Sequence, residues 1–222
     1  LSPPFAALLA GALIGLPGVT VTVLFGTVSI LISLSIVPLL LTAGDPPEYE
    51  APERMPIRTL LNISPVAVSG SLLSGVTMGA LFAAAPLYGL ATGMSRGEAA
   101  NISVALTLVG ALAQYPAAYV ADRFERRGAM IGLSAIGIMV VAYSLIQDSE
   151  TALILRLAIM GAACVPVYSV CLAHANDQLR RSQVVAAGGA MAFSLNAGLF
   201  VGVFTGPAIL DAGGETGLMV YL

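Results

Sequence analysis

Asp122, Arg123, Arg126 and Arg127 place four charges within six positions of a chain otherwise poor in charge. A carboxylate beside three guanidinium groups can form charge-assisted hydrogen bonds, about twice as strong as neutral ones. Such a cluster can form in one packing of helices and break in another, and so bias an equilibrium between two conformers. The chemistry open to these four residues is therefore conformational gating. They sit between two long apolar stretches, which puts Asp122 at a helix end.

Arg156 is the one charged residue clearly inside an apolar stretch. It can attract an anionic substrate or counter-ion, or it can snorkel its guanidinium to the nearer interface. Gln114 lies eight residues before Asp122, and Tyr168 lies nine before Asp177. At about 1.5 Å of rise per residue both sit roughly 12–14 Å from a helix end, at matching heights. Asn196 lies deeper in its own stretch. Polar groups at such depth face either a water-filled path or a hydrogen-bonding group on a neighbouring helix. His174, the only histidine, stands beside Asn176 and Asp177. It is a candidate for proton coupling, and equally for capping the end of its helix.

Catalytic and metal chemistry find little to work with. Cys164 and Cys171 are seven residues apart, about 10.5 Å along a helix, which is beyond disulfide reach. They read as small packing residues. All twelve acids fall in or next to a predicted loop, so no mid-membrane carboxylate is expected. An intramembrane enzyme would need paired carboxylates or a histidine cluster gathered at one depth. No enzyme activity, metal or cofactor is expected.

The elements that must position these residues follow from composition. Apolar residues make up 58% of the chain and charged ones 9%, against about 25% charged in a soluble domain. Nine arginines, no lysine and twelve acids cannot cover a soluble surface of this size. The net charge of −3 gives no hint of nucleic-acid binding, which calls for clustered positive charge on an exposed face. Charge-free intervals run over 1–44, 59–95, 99–121, 128–147, 157–173 and 182–210. Most reach the roughly 20 residues a helix needs to cross hydrocarbon. They are too long for barrel strands and do not alternate, and in lipid the backbone must satisfy itself, which makes them helices.

The pattern predicts an all-α polytopic membrane bundle, with spans near 20–42, 65–91, 98–120, 128–147, 151–173 and 183–208. A partial span near 3–16 would end in a turn at Pro17-Gly18, and a last span would begin near Thr216. Prolines inside these runs (Pro38, Pro86, Pro116, Pro166, Pro207) are tolerated kinks. Gly11/Gly15, Gly75/Gly79 and Gly198/Gly202/Gly206 are spaced by four, which favours close packing of helices within the protein. If spans alternate, the loops 43–62, 121–127 and 174–182 share one side and carry seven arginines, against Arg96 alone opposite. Positive charge stays inside, so the first set is cytoplasmic. The Pro- and acid-rich stretch 43–62 reads as a solvated linker and the one internal boundary.

The run Gln114-Tyr115-Pro116-Ala117-Ala118-Tyr119-Val120-Ala121-Asp122-Arg123-Phe124-Glu125-Arg126-Arg127 resembles the signature loop of the major facilitator superfamily, Gly-x-Leu-Ala-Asp-Arg-x-Gly-Arg-Arg. Asp122, Arg123, Arg126 and Arg127 match; Ala118, Val120 and Glu125 depart, which questions the turn role of the pattern's glycine. The run Pro166 to Asp177 looks like a bacterial branch of that superfamily, the YcaD-like proteins. The resemblance covers essentially the whole chain and implies that the loop joins spans eight and nine of twelve. Residues 1–42 would be the end of the N-terminal bundle (part of span five, then span six). Residues 43–62 would be the central cytoplasmic loop, and 63–222 the C-terminal bundle, spans seven to twelve with the last truncated.

The same resemblance implies a secondary transporter in the bacterial inner membrane, moving a small molecule by alternating access, with protons as a candidate coupling ion. It implies that the loop locks the cytoplasmic side, and that spans seven, eight, ten and eleven line the cavity. Gln114, Tyr168, Asn196 and Arg156 are then the substrate-pathway candidates. Gly202-Val203-Phe204-Thr205-Gly206-Pro207 is similar to the superfamily's antiporter motif but stands on span eleven rather than five, so it carries no inference of antiport. A non-transporting helical scaffold or receptor-like protein is the alternative, and an intramembrane enzyme a more distant one.

Overall fold

The computed structural model describes residues 21–41, 55–146 and 150–222. Among them every regular element is helical: α1 Val21–Leu41, α2 Ile57–Ile63, α3 Pro65–Ala91, α4 Arg96–Arg123, α5 Arg126–Ser144, α6 Glu150–Asn176 and α7 Arg181–Tyr221. Five of these, α3 to α7, are long and apolar enough to cross a membrane. The protein is an integral, multi-pass helical membrane bundle. The expected partial span at 3–16, its Pro17-Gly18 turn and Gly11/Gly15 lie outside the described residues, as does most of the linker.

Helix boundaries fall where charge and caps place them. Ser95 caps α4 by accepting from the Glu98 backbone N–H, while the Glu98 carboxylate accepts from the Ser95 N–H at 2.8 Å. That reciprocal capping box satisfies two donors that a helix start leaves open. Pro86, Pro116, Pro166 and Pro207 lie inside helices, as membrane-spanning helices tolerate. The expected linker gives way to helix earlier than 62: α2 forms at Ile57–Ile63, with Leu60 fully buried beneath the bundle. Leu60 is the residue that anchors these roughly two turns of helix to the bundle.

The α3–α7 pair is the closest helix packing among the described residues. A Cβ at Gly75 would lie 2.2 Å from the Leu195 carbonyl oxygen, and one at Gly198 2.1 Å from that of Leu72. Gly202 stands equally close to the Val76 carbonyl, and Gly79 to that of Leu199. Small residues at four-residue spacing let two backbones touch, which is how helices associate in lipid without a hydrophobic driving force. Two buried serines reinforce the contact: Ser71 donates to the Met191 carbonyl at 3.2 Å and Ser194 to that of Val68 at 3.0 Å. Of the glycine faces expected from spacing, Gly75/Gly79 and Gly198/Gly202/Gly206 thus pack within the chain. α4 crosses α6 less tightly at Gly110 and Gly161, where an added Cβ would first meet the side chains of Val165 and Leu106, at 2.7 and 3.2 Å.

α7 is two helices. Gly214 carries φ +62 and ψ −159, a conformation open to glycine and strained for other residues. The chain turns back there, so that Tyr221 meets Thr205, hydroxyl to hydroxyl, at 2.6 Å. Helix 181–213 is therefore one span and the segment after Gly214 starts another, close to the start expected at Thr216.

Candidate functional site

Two large apolar clusters and a small third one, of Ala84, Leu210 and Leu218, fill the bundle among the described residues. One packs Leu60, Val68, Ala121, Met130, Val170, Cys171 and Met191 at the end bearing the α4–α5 loop, and the other packs Leu81, Ile102, Leu106, Leu157, Met160 and Met219 at the far end. Each of the two large clusters is overlaid by a charge cluster.

At the loop end, α4 stops at Arg123 and α5 starts at Arg126, with Phe124 and Glu125 both extended between them (ψ −178 and 132). Among the described residues only Gly93 and Gly214 have positive φ, so this turn needs no glycine, and the departure at Glu125 is harmless to the backbone. Arg126 is the hub. One guanidinium nitrogen pairs with Asp122 at 3.2 Å. Its Nε donates to one carboxylate oxygen of Asp177 and its Nη2 to the other, the latter at 3.3 Å. A planar fork against a carboxylate is the geometry that arginine supplies and lysine does not. The hub therefore joins the ends of α4, α5 and α6. The Asp122 and Asp177 side chains are 68% and 52% exposed, which limits each contact to the order of 1 kcal/mol. A contact this weak can open and close.

The other two loop arginines do different things. Arg123 donates to the Tyr119 hydroxyl at 2.8 Å and lies 5.9 Å from the centre of that ring, one turn back on α4. Arg127 is exposed. Asp122 thus engages one guanidinium of the three that the sequence sets beside it. Asp177, which entered the sequence reading only as a depth marker, is the missed member of the cluster. Nothing in the spacing identifies it, since it lies 51 residues from Arg126.

His174 sits half-buried in the last turn of α6. Capping of that end falls to Gln178, whose amide donates to the His174 carbonyl at 3.3 Å and contacts the imidazole Nε2 at 3.1 Å. The same amide reaches the buried Ser64 hydroxyl at 3.2 Å. Gln114 lines a cavity of about 180 Å³ that also contains Asp122, Arg126, Pro166 and Ser169, so it belongs with the charge hub. Tyr168 packs on the apolar cluster around Val68 and Met191. Asn196 is exposed on α7, donating to the Ala192 carbonyl of its own helix at 2.8 Å. The structure brings Gln114 to the hub; it does not bring Tyr168 and Asn196 into that cavity.

At the far end Arg156 turns inward. Its side chain is 4% exposed, and Nη2 lies 2.9 Å from Glu215 Oε1. The Tyr88 hydroxyl donates to Glu215 Oε2 at 2.8 Å. This set ties α6, α3 and the segment after Gly214 together. Sequence reasoning treated Glu215 as a loop acid; the reversal at Gly214 draws it over the bundle, 26% exposed. Buried charges are found paired because isolated ones are too costly.

A family model described as Major Facilitator Superfamily matches residues 67–221. The chain is 29% identical over 174 residues to an uncharacterized MFS-type transporter, YcaD, of Salmonella arizonae, covering 78% of this chain and 45% of that protein. It is 29% identical over 169 residues to YcaD of Escherichia coli strain K12, covering 75% and 44%. The chain spans somewhat less than half the length of these relatives.

Proposed function

This chain belongs to the major facilitator superfamily, and from that premise we propose that it works as a secondary active transporter moving a small solute by alternating access. Residues 63–222 act as the C-terminal bundle, spans seven to twelve, with 1–42 ending the N-terminal one and 43–62 linking them. The α4–α5 loop is the cytoplasmic gate, in the inner membrane of a bacterium.

The observation that supports the gate is the Arg126 hub, in which one side chain holds Asp122 and Asp177 and so joins the ends of three helices. Breaking it leaves those ends free to separate, and its two exposed acids make breaking it cheap on the scale of a conformational change. Gln114, on the cavity that Asp122 and Arg126 also line, is the nearest candidate for solute contact; Tyr168 and Asn196 are further ones, on other faces. Arg156 serves the far end as a clamp rather than as an anion site in this conformer. His174 remains the candidate for proton coupling at the gate.

The test is Asp122→Asn in the full-length protein reconstituted in vesicles. Uptake or efflux should fall about tenfold or more, the range of a typical coupling free energy, with folded yield intact. Transport at the unaltered rate would defeat the gating role. The solute itself is to be found by thermal stabilisation across a ligand panel, since a bound ligand raises stability by mass action.

A further inference from the structure

The hydrogen bonds around Gln178 fix the protonation state of His174. The Gln178 amide nitrogen lies 3.3 Å from the His174 carbonyl oxygen, 3.2 Å from the Ser64 hydroxyl and 3.1 Å from His174 Nε2. A backbone carbonyl accepts and never donates, so the amide must present its nitrogen here and not its oxygen. That nitrogen has only hydrogens to give, so the imidazole Nε2 facing it is an acceptor and the ring is neutral. Ser64 is 1% exposed and stands between α2 and α3, closing the one and opening the other. Gln178 lies in the turn between α6 and α7, directly after Asp177, which Arg126 holds. A neutral His174 thus keeps one amide in place, and that amide ties the turn to the start of α3.

A proton on Nε2 would set an N–H against the amide's own N–H groups. Turning the amide over offers its oxygen to the ring, but brings that oxygen to the position 3.3 Å from the His174 carbonyl oxygen, with no hydrogen between the two acceptors. Gln178 can therefore serve the charged ring, or the end of α6, but not both. The charged groups at this end are Arg58 on α2, Asp122 and Arg123 closing α4, Glu125, Arg126 and Arg127 opening α5, Asp177 after α6, and Arg180 and Arg181 opening α7; α3 carries none. Of these, Arg127, Asp177 and Arg126 bear on the imidazole, so a protonated ring also competes with Arg126 for Asp177.

We propose that His174, Gln178 and Ser64 form a pH-sensitive latch. With the imidazole neutral it holds the α6–α7 turn to the α2–α3 junction; with the imidazole protonated it releases that turn together with Asp177. Histidine is the side chain whose ordinary titration falls in the physiological range. The latch regulates the gate rather than carrying protons across, since it needs access from the loop end alone, where Gln178 is exposed. It deepens the gate reading and rests on it for its effect on transport, whereas the release itself does not depend on that reading.

The test is hydrogen exchange of the full-length protein in nanodiscs at about pH 7.5 and about pH 5.5, on either side of the ordinary imidazole titration, corrected for the intrinsic pH dependence of exchange. Protection over 57–68 and 175–183 should fall about tenfold at the lower pH, as expected for losing one or two hydrogen bonds. Protection over 95–106, at the far end, should hold. His174→Leu should remove the pH response, and Gln178→Ala should show the low protection at both values. Equal protection of the unaltered protein at the two values, or a fall of the same size in His174→Leu, would overturn the latch. Should His174→Leu fold poorly, Gln178→Ala decides alone: a pH-dependent fall as large as that of the unaltered protein overturns the proposal. Absent transport alongside the expected exchange pattern would count against the transporter reading only.

Discussion

Arg126 does what no other residue of its loop can, because it alone reaches acids on two other elements. The fork against Asp177 sets a prediction that a charge-only account would miss. Arg126→Lys keeps the cation but loses the paired donors, since an ammonium is a point charge on a flexible stem. Transport should therefore fall nearly as far in Arg126→Lys as in Arg126→Gln, and a lysine variant with unaltered rates would reduce the hub to mere electrostatics. Asp177→Asn should resemble Asp122→Asn in a reconstituted transport assay, although no motif marks it. The four charges of the loop were legible from their spacing alone. Asp177 and Glu215 were not, because hydrogen bonds across 51 and 59 residues depend on where helices end in space, and a sequence records only where they end along the chain.

Among the elements, the α3–α7 pair and the turn at Gly214 are the rigid parts. At Gly202 a methyl group would lie 2.1 Å from the Val76 carbonyl oxygen, so Gly202→Ala must push two backbones apart. The cost should be about 1–3 kcal/mol, the range for overpacking a filled interior, read as a lowered thermal midpoint in detergent. Gly189→Ala, on the same helix with no neighbour within 4 Å, should be neutral or slightly stabilising through helix propensity. Equal effects of the two substitutions would refute the close contact. The far-end clamp gives a second contrast. Glu215→Gln leaves the Arg156 guanidinium buried without its carboxylate, which should destabilise by up to about 3 kcal/mol. Replacing both partners together, as Arg156→Met with Glu215→Leu, should recover most of that loss.

For the whole molecule, the asymmetry of arginine between the two ends predicts which end faces the cytoplasm. A membrane-impermeant thiol reagent should label Thr92→Cys from outside intact cells and leave Arg180→Cys unlabelled; the reverse pattern would invert the topology. Class, span positions and the signature loop could be read directly from the sequence, because lipid imposes a one-dimensional rule: about twenty apolar residues per crossing, with charges left at the ends. The helices Pro65–Ala91 and Val21–Leu41 fall within a residue of the spans expected at 65–91 and 20–42. Which helices touch was decided only in three dimensions. Glycines at four-residue spacing announce a packing face without naming its partner, and α3 and α7 find each other across more than a hundred residues. The same holds for Arg156, whose inward turn toward Glu215 depends on the reversal at Gly214, a backbone angle that hydropathy does not encode.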